Sequence, residues 1–270
     1  MKIVYFTSEF PGQTHVFLWR EYEELLRLGI DVELISTRSP VKGFKPQGWS
    51  QVAAQRTRYL YPLTSGDVAQ AVSTLLGCSA GTWAKVLSVV FRTAGIPLRD
   101  RFAMLVHLVL ATKLVRLIKA SGCTHVHCTT CAATANIAMF SRFISGVSYS
   151  LSLLGPRLET YGSNQANKWR HASFALFQSQ KLLRETHEAI GACVPSLHAF
   201  APVGVNTDTV RRNGTYVPWT RGKAGVLYSC GRLHPIMGHE YVIQAAGELI
   251  RRGYPVRLII GGEDIEGGKG

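Results

Sequence analysis

The chain has 270 residues, 46% of them hydrophobic and 17% charged, which is an ordinary globular composition with enough length for one large or two ordinary domains. No apolar run approaches the roughly 20 residues of a membrane-crossing helix, and Lys2–Phe6 runs into Thr7-Ser8-Glu9 without a secretory pattern, so the six cysteines point to reduced thiols in the cytoplasm. The net charge of +13 is uneven: between residues 41 and 120 eleven Lys and Arg face two acids, an excess of one sign that points to an anionic partner.

In chain order, Ile3–Phe6 reads as a buried strand and Thr7–Gln13 as a loop containing Pro11-Gly12. Thr14 is the expected N-cap of a helix with Leu18, Tyr22, Leu25 and Leu26 on its apolar face, ending at Gly29. Val32, Leu34 and Ser36 alternate on the next strand. A strand, helix, strand order opens the first loop at the carboxyl edge of a parallel sheet, where ligands of such sheets bind. Gly12 and Gln13 in that loop are candidate ligand contacts, and a plain turn before a capped helix explains them equally well.

The stretch 41–55 is polar and turn-rich, and Val68–Phe91 and Arg101–Ala120 read as helices. The second is apolar over Phe102–Ala111 except for His107, then carries Lys113, Arg116 and Lys119 along one face. Two readings follow: a core helix with a basic outer stripe, or part of a surface that meets an anionic membrane. No aromatic and basic pattern of a nucleic-acid module is present, so no nucleic-acid partner is expected.

Thr124–Cys128 is the next expected strand, followed by a helix over Ala132–Ile144 and a strand over Val147–Leu153. Cys128 and Cys131 form a C-x-x-C at a strand-to-helix turn, with His125 and His127 just before it. That arrangement suits a thioredoxin-like dithiol, and Cys with His suits zinc. No second Cys/His cluster lies at finger-like spacing, so a structural role is favoured and no metal is expected. Ser173–Gln178 and Leu197–Pro202 are further strands around a helix over Lys181–Ile190. The polar stretch 211–223 reads as a linker.

Gly225–Gly262 gives a second strand, loop, helix, strand unit: an apolar run to Cys230, Gly231-Arg232-Leu233, helical spacing over His239–Arg252, and a second apolar run from Val256. Arg232 follows a glycine at a carboxyl edge, where a guanidinium can grip a phosphate with two parallel hydrogen bonds.

The Gly231-Arg232-Leu233, Met237-Gly238 and Val242–Ala245 segments resemble the opening of the nucleotide-sugar domain of retaining glycosyltransferases of the two-domain GT-B class, family four. Phe10–Gly29 resembles the first loop and helix of that family. Leu151–Arg170, with Gly155, Tyr161, Gly162, Lys168 and Arg170, resembles its loop at the end of a later strand, and Gly204–Asp208 its segment leading to the second domain. Three positions depart from the pattern: Met237 replaces a lysine, Leu154 a histidine and Asn206 an aspartate.

The resemblance implies an α/β GT-B fold: a Rossmann-like amino-terminal domain over residues 1–210, a linker over 211–223, and an incomplete second Rossmann-like domain over 224–270. It implies transfer of a sugar from a nucleotide diphosphate sugar to a glycan or lipid-linked acceptor with retention, as in polysaccharide biosynthesis, without a cofactor. Gly12, Gly231 and Arg232 are then expected at the donor diphosphate, and Gln13, Gly155 and Tyr161 on the acceptor side. The expected location is the cytoplasm, at the inner face of the membrane, held there by the basic 41–120 region. Because the pattern stops before the family's paired glutamates, and because of Leu154 and Met237, the chain is expected to show little turnover. A non-catalytic nucleotide-sugar or glycan binder and a thiol oxidoreductase based on Cys128 and Cys131 are the alternatives.

Overall fold

The computed structural model describes residues 1–40, 48–220 and 222–262. The start of the expected turn-rich segment, with Lys42 and Lys45, and the residues 263–270 lie outside the described residues, as does position 221 in the expected linker. The chain forms two compact units, Met1–Val205 and Asn206–Gly270.

The first unit is built on a seven-stranded sheet in the order β3-β2-β1-β4-β5-β6-β7, every neighbouring pair parallel. Its strands are β1 (Lys2–Glu9), β2 (Asp31–Arg38), β3 (Thr57–Tyr59), β4 (His125–Cys128), β5 (Ser148–Leu153), β6 (Phe174–Phe177) and β7 (His198–Phe200). The helices between them are α1 (Val16–Arg27), α2 (Gly48–Arg56), α3 (Ser65–Leu76), α4 (Ala80–Leu87), α5 (Leu98–Ser121), α6 (Ala133–Ser145), α7 (Gln165–Arg170) and α8 (Gln180–Ile190). The strand order reverses between β1 and β4, the switch point at which the crevice of a doubly wound sheet opens.

Two cores follow from the period-two alternation of the strands. Ile3 and Tyr5 of β1, with Val32 and Leu34 of β2, pack on Leu18, Trp19 and Tyr22 of α1. Val4 and Phe6 point the other way, into a larger core with Val126, Tyr149, Leu151 and Phe177, closed by Leu108, Leu114 and Ile118 of α5, Ile137 and Phe140 of α6, and Trp169 of α7. Burial on both faces makes β1 a nearly continuous apolar run, whereas β4 and β5 alternate His or Ser with apolar residues.

The helices depart from expectation in four places. Helix α1 begins at Val16 after His15, and no side chain caps it, so Thr14 is exposed rather than an N-cap. Trp19 takes the core position expected for Leu26, which is exposed. The region from 48 to 56 forms α2, although GWSQVAAQR carries little helical periodicity of its own. The single helix expected over 68–91 is interrupted at Gly77–Ser79: α3 ends at Leu76, α4 starts behind the Ser79 cap, and Ser88–Arg92 widens into a π-helical turn.

Helix α3 starts on a reciprocal capping box, with the Thr64 hydroxyl accepting from the Asp67 amide and the Asp67 carboxylate accepting from the Thr64 amide. The same carboxylate takes Lys113 Nζ at 3.0 Å and the Arg116 guanidinium, both from α5. Two cations of the expected basic stripe thus share one carboxylate, Lys113 largely buried and Arg116 at the surface. Lys113 also donates to the carbonyl of Leu60 at 2.9 Å, tying α5 to the end of β3.

The second unit contains β8 (Gly225–Cys230), a 3-10 turn over Pro235–Met237, α9 (His239–Arg251) and β9 (Val256–Gly261), with the two strands parallel and Tyr228 opposite Ile259.

The amide bonds and cations around Asp67 hold its carboxyl well below the usual carboxylate range. A depressed carboxyl pKa contributes stability above the unfolded value near 4, lost as pH falls through it. Asp67→Ala removes the carboxylate half of the capping box, leaving the Thr64 cap, and leaves the 14%-exposed Lys113 without its counter-ion. It should lower the unfolding free energy by about 3–5 kcal/mol in urea titrations at pH 7. A change within 1 kcal/mol would show that the cluster is ornamental.

Candidate functional site

In the first unit the loops after β1, β4 and β5 meet at the carboxyl edge. The chain from β1 to α1 passes Phe10, Pro11, Gly12 and Gln13 to His15, whose ring stacks on Phe10 at 6.2 Å and 10°. A Cβ on Gly12 would lie 2.5 Å from His15 Nδ1, so the glycine is required by the imidazole that folds over it. His15 Nδ1 is buried and has no hydrogen-bond partner among the described residues. Burial lowers the His15 pKa, with Glu9 opposing, so the ring stands neutral with an acceptor nitrogen unspent. His15 is the residue that sequence reasoning missed. Its signal was a histidine two residues after Gln13 in a loop already marked as a ligand edge.

The loop after β5 folds on itself. Gly155 adopts φ +97°, a conformation that favours glycine, and the Tyr161 hydroxyl donates to the Gly155 carbonyl. The structure therefore brings Gly155 and Tyr161 together, with the Tyr161 hydroxyl committed to shaping the loop. Beneath it lies a buried polar network. Lys168, 1% exposed, donates from Nζ to the carbonyls of Cys131 at 2.8 Å and Tyr161 at 3.3 Å. Asn164 donates to Asn136 at 2.9 Å, and Asn167 donates to Asn164 at 2.7 Å and to the Thr93 hydroxyl at 2.9 Å. Burial lowers the Lys168 pKa to about 8, partly offset by Cys131 and Asp100. Lys168 matches the resemblance by sequence, yet it acts as a clamp inside the wall of the site.

Cys128 and Cys131 are both free thiols with no exposed surface. Burial pushes the Cys128 thiol far up and the Cys131 thiol up to about 12 despite the neighbouring Lys168. A dithiol oxidoreductase needs the opposite, an accessible sulfur with a depressed pKa. The redox alternative is therefore corrected: these sulfurs are core atoms. Among the described residues no group of three or more His, Cys, Asp or Glu side chains is placed to hold a metal.

His125 and His127 are engaged elsewhere. They point to the same side of β4 and interleave with three serines of β5: Ser148 to His125 Nδ1 at 2.7 Å, His125 Nε2 to Ser150 at 2.8 Å, Ser150 to His127 Nδ1 at 2.7 Å, and His127 Nε2 to Ser152 at 3.0 Å. Parallel register supplies this ladder, since His125 pairs with Ser148 and His127 with Ser150. Phe174 stacks on His125 at 5.3 Å, and Tyr5 lies 5.8 Å from His127 and donates to Glu21 at 2.6 Å. Burial, with His125 adding a smaller push, lowers the His127 pKa to about 4.

In the second unit, a Cβ on Gly231 would lie 2.7 Å from Cε at the flexible tip of Met237, which would have to move aside. Its amide donates to the Gly261 carbonyl at 3.0 Å, which joins the ends of β8 and β9. His239, at the start of α9, donates from Nε2 to the Arg232 carbonyl at 3.0 Å and meets the Ser229 hydroxyl at Nδ1 (3.3 Å), bracing the loop that carries Arg232. The Arg232 side chain is exposed and makes no ion pair among the described residues. Gly12, Gln13, Gly155 and Tyr161 thus lie at the carboxyl edge of the first unit, and Gly231 and Arg232 at that of the second.

A doubly wound parallel domain followed by a second βαβ unit is the GT-B architecture, and the chain has this fold. It is similar to the crystal structure of MurG from Acinetobacter baumannii, with a TM-score of 0.50 and 11% identity, over 96% of this chain and 60% of that one. It is also similar to a glycosyltransferase from Rickettsia africae, with a TM-score of 0.49 and 11% identity, over 98% of this chain and 69% of that one. The chain therefore spans 60% of the length of the MurG structure. No protein-family model and no curated protein matches the sequence.

Two measurements check this site. In the native protein, a thiol reagent should modify Cys230, which is exposed, and leave Cys128 and Cys131 untouched until the chain is unfolded. Rapid native labelling of either would return the redox reading. For the ladder, a histidine pKa held below the unfolded value near 6.5 means that the unfolded chain takes up the proton first as pH falls. His127 stability is then complete above about 7 and is lost progressively from there down to its folded value of about 4. Denaturant titrations should show a loss of about 2 kcal/mol between pH 7 and pH 5 from this group, and a shallower slope in His127→Phe.

Proposed function

We propose that the chain is the acceptor-side domain, with the opening of the donor domain, of a glycosyltransferase that moves a sugar from a nucleotide diphosphate sugar to a glycan or lipid-linked acceptor. The observation that carries this reading is the pair of carboxyl-edge loops on a GT-B fold, one with a neutral histidine over Gly12 and one with an exposed arginine after Gly231.

In the reaction the bond from the sugar anomeric carbon to the diphosphate oxygen breaks, the leaving group keeps the electron pair, and the acceptor oxygen bonds to the sugar while losing its proton. Negative charge accumulates on the diphosphate, and a preorganised cation there lowers the barrier. Arg232 is assigned this role, with Gly231 beside it; Gly12 is expected at the diphosphate from the motif resemblance alone, since the His15 ring covers it. Gln13, Gly155 and Tyr161 are assigned to the wall on the acceptor side. The reading invokes no cofactor. Family four, retention of configuration and a place in polysaccharide biosynthesis rest on the motif resemblance, as does a cytoplasmic setting at the inner face of the membrane.

A second reading, a nucleotide-sugar binder without turnover, is favoured by Met237, which brings no charge to the diphosphate, and by Leu154, which offers no hydrogen bond. Ligand-observed NMR with a panel of nucleotide diphosphate sugars separates these readings from each other and from neither. Binding should weaken at least tenfold in Arg232→Ala, about 1.4 kcal/mol, and release of nucleoside diphosphate with acceptor present should mark the transferase. Binding without release supports the second reading. An inverted product anomer would remove the family-four assignment, and no binding of any donor would remove both readings.

A further inference from the structure

At the amino edge of the first sheet, opposite the carboxyl edge that holds the candidate site, the last turns of three helices bring cations to one place. Lys85 is in the last turn of α4, Arg142 in that of α6 and Arg170 in that of α7. Two contacts join those ends: the Thr82 hydroxyl of α4 donates to the Phe143 carbonyl of α6 at 3.2 Å, and the Phe143 ring meets the His171 ring edge-on at 4.9 Å. Arg142 and Arg170 are the chain neighbours of Phe143 and His171, and Lys85 follows Thr82 by one helical turn, so the three charges stand around the imidazole.

A cation in the last turn of a helix suits that helix's own dipole. Three at one place repel one another unless an acid sits between them, as Asp67 sits between Lys113 and Arg116. Among the described residues Lys85, Arg142 and Arg170 have no acidic partner. Arg142 donates to the Ser173 hydroxyl at 3.4 Å, and Arg170 to the Cys193 sulfur at 3.2 Å. Burial lowers the His171 pKa, and Arg142, Arg170 and Lys85 push it the same way with no acid opposing them, so the half-buried ring is neutral near neutral pH.

We propose that Lys85, Arg142, Arg170 and His171 form a binding site for a doubly charged oxyanion, the phosphate group of a soluble molecule. Two guanidinium forks and an ammonium match the several acceptor oxygens of a phosphate, whose two charges answer more of the cluster than a carboxylate does. Ser173 adds a donor, since its oxygen already accepts from Arg142 and its hydrogen is left to point at the anion. The imidazole takes up a proton once the anion is in place and becomes a further donor. The site lies across the sheet from the loops assigned to sugar transfer and does not rest on the transferase reading. It shares α7 with them: Lys168 of that helix holds the carbonyls of Cys131 and Tyr161, and Arg170, two residues on, holds the anion. Occupancy at one edge restrains the helix that fixes a loop at the other.

NMR pH titrations of the His171 ring resonance in the 270-residue chain test the site. Sulfate is the first probe, because it keeps both charges throughout the titration and cannot itself supply a pH dependence. It should raise the His171 pKa toward or above the ordinary value near 6.5 and bind more tightly as pH falls through that value, whereas chloride at equal ionic strength should do neither. Arg142→Gln and Arg170→Gln should each weaken sulfate binding at least about tenfold, and Arg211→Gln, at an exposed position of the second unit, should leave it unchanged. His171→Gln should retain binding above the histidine range and lose its pH dependence, a change that altered packing alone does not produce. Inorganic phosphate should displace the sulfate. An unshifted His171 resonance, an equal response to chloride or equal weakening by Arg211→Gln would overturn the proposal. So would phosphatidylglycerol vesicles that shift the resonance where inorganic phosphate does not, since the occupant would then be a lipid headgroup.

Discussion

The amine of Lys168 is buried with main-chain carbonyls as its hydrogen-bond acceptors, and much of the first unit is arranged around that fact. An ammonium without a carboxylate partner in the interior is stable only if its donors are met. The carbonyls of Cys131 and Tyr161 meet two of the three, and in doing so they fix the turn after β4 against the loop after β5. Gln165 adds a donor to Gly162 at 2.8 Å, and the asparagine series extends the same hydrogen-bonded body to Thr93. The carboxyl edge is thus held from below, by polar groups in the core.

Strand β1 was legible because both of its faces are buried, and the βαβ order of Gly225–Gly262 because its apolar runs are bounded by glycine. What the sequence concealed is cooperative. Helix α2 has little periodicity of its own and is held by Ala53 in the core of the α1 side. The break at Gly77 is set by the Ser79 cap, which starts α4 two residues later. The serines of β5 read as ordinary polar alternation until the register places them between two imidazoles of β4.

The candidate site divides in the same way. Gly12 and Arg232 could be found as a glycine and an arginine at carboxyl edges, but the reason for Gly12 is the His15 ring above it, which no local pattern states. Charge counting failed for a related reason. A single aspartate, Asp67, takes two basic side chains that lie almost fifty residues away in sequence, so the sum over a region overstates the cations that reach its surface.

The ladder of His125 and His127 with Ser148, Ser150 and Ser152 has one further property. Each hydroxyl carries one hydrogen and each neutral imidazole carries one N–H, so five groups in file must all point the same way. Ser148 also donates to the Thr124 carbonyl at 3.4 Å, which sets the direction. Ser148 then accepts from His125 Nδ1, Ser150 donates to His125 Nε2, and His127 and Ser152 repeat the pattern. Both rings are therefore Nδ1–H tautomers, and neither can exchange tautomer alone. A group that captured the hydrogen-bonding capacity of Ser152 at the carboxyl edge would have to turn over the whole file, and its arrival would be written in the tautomer of His125 at the other end of the strand.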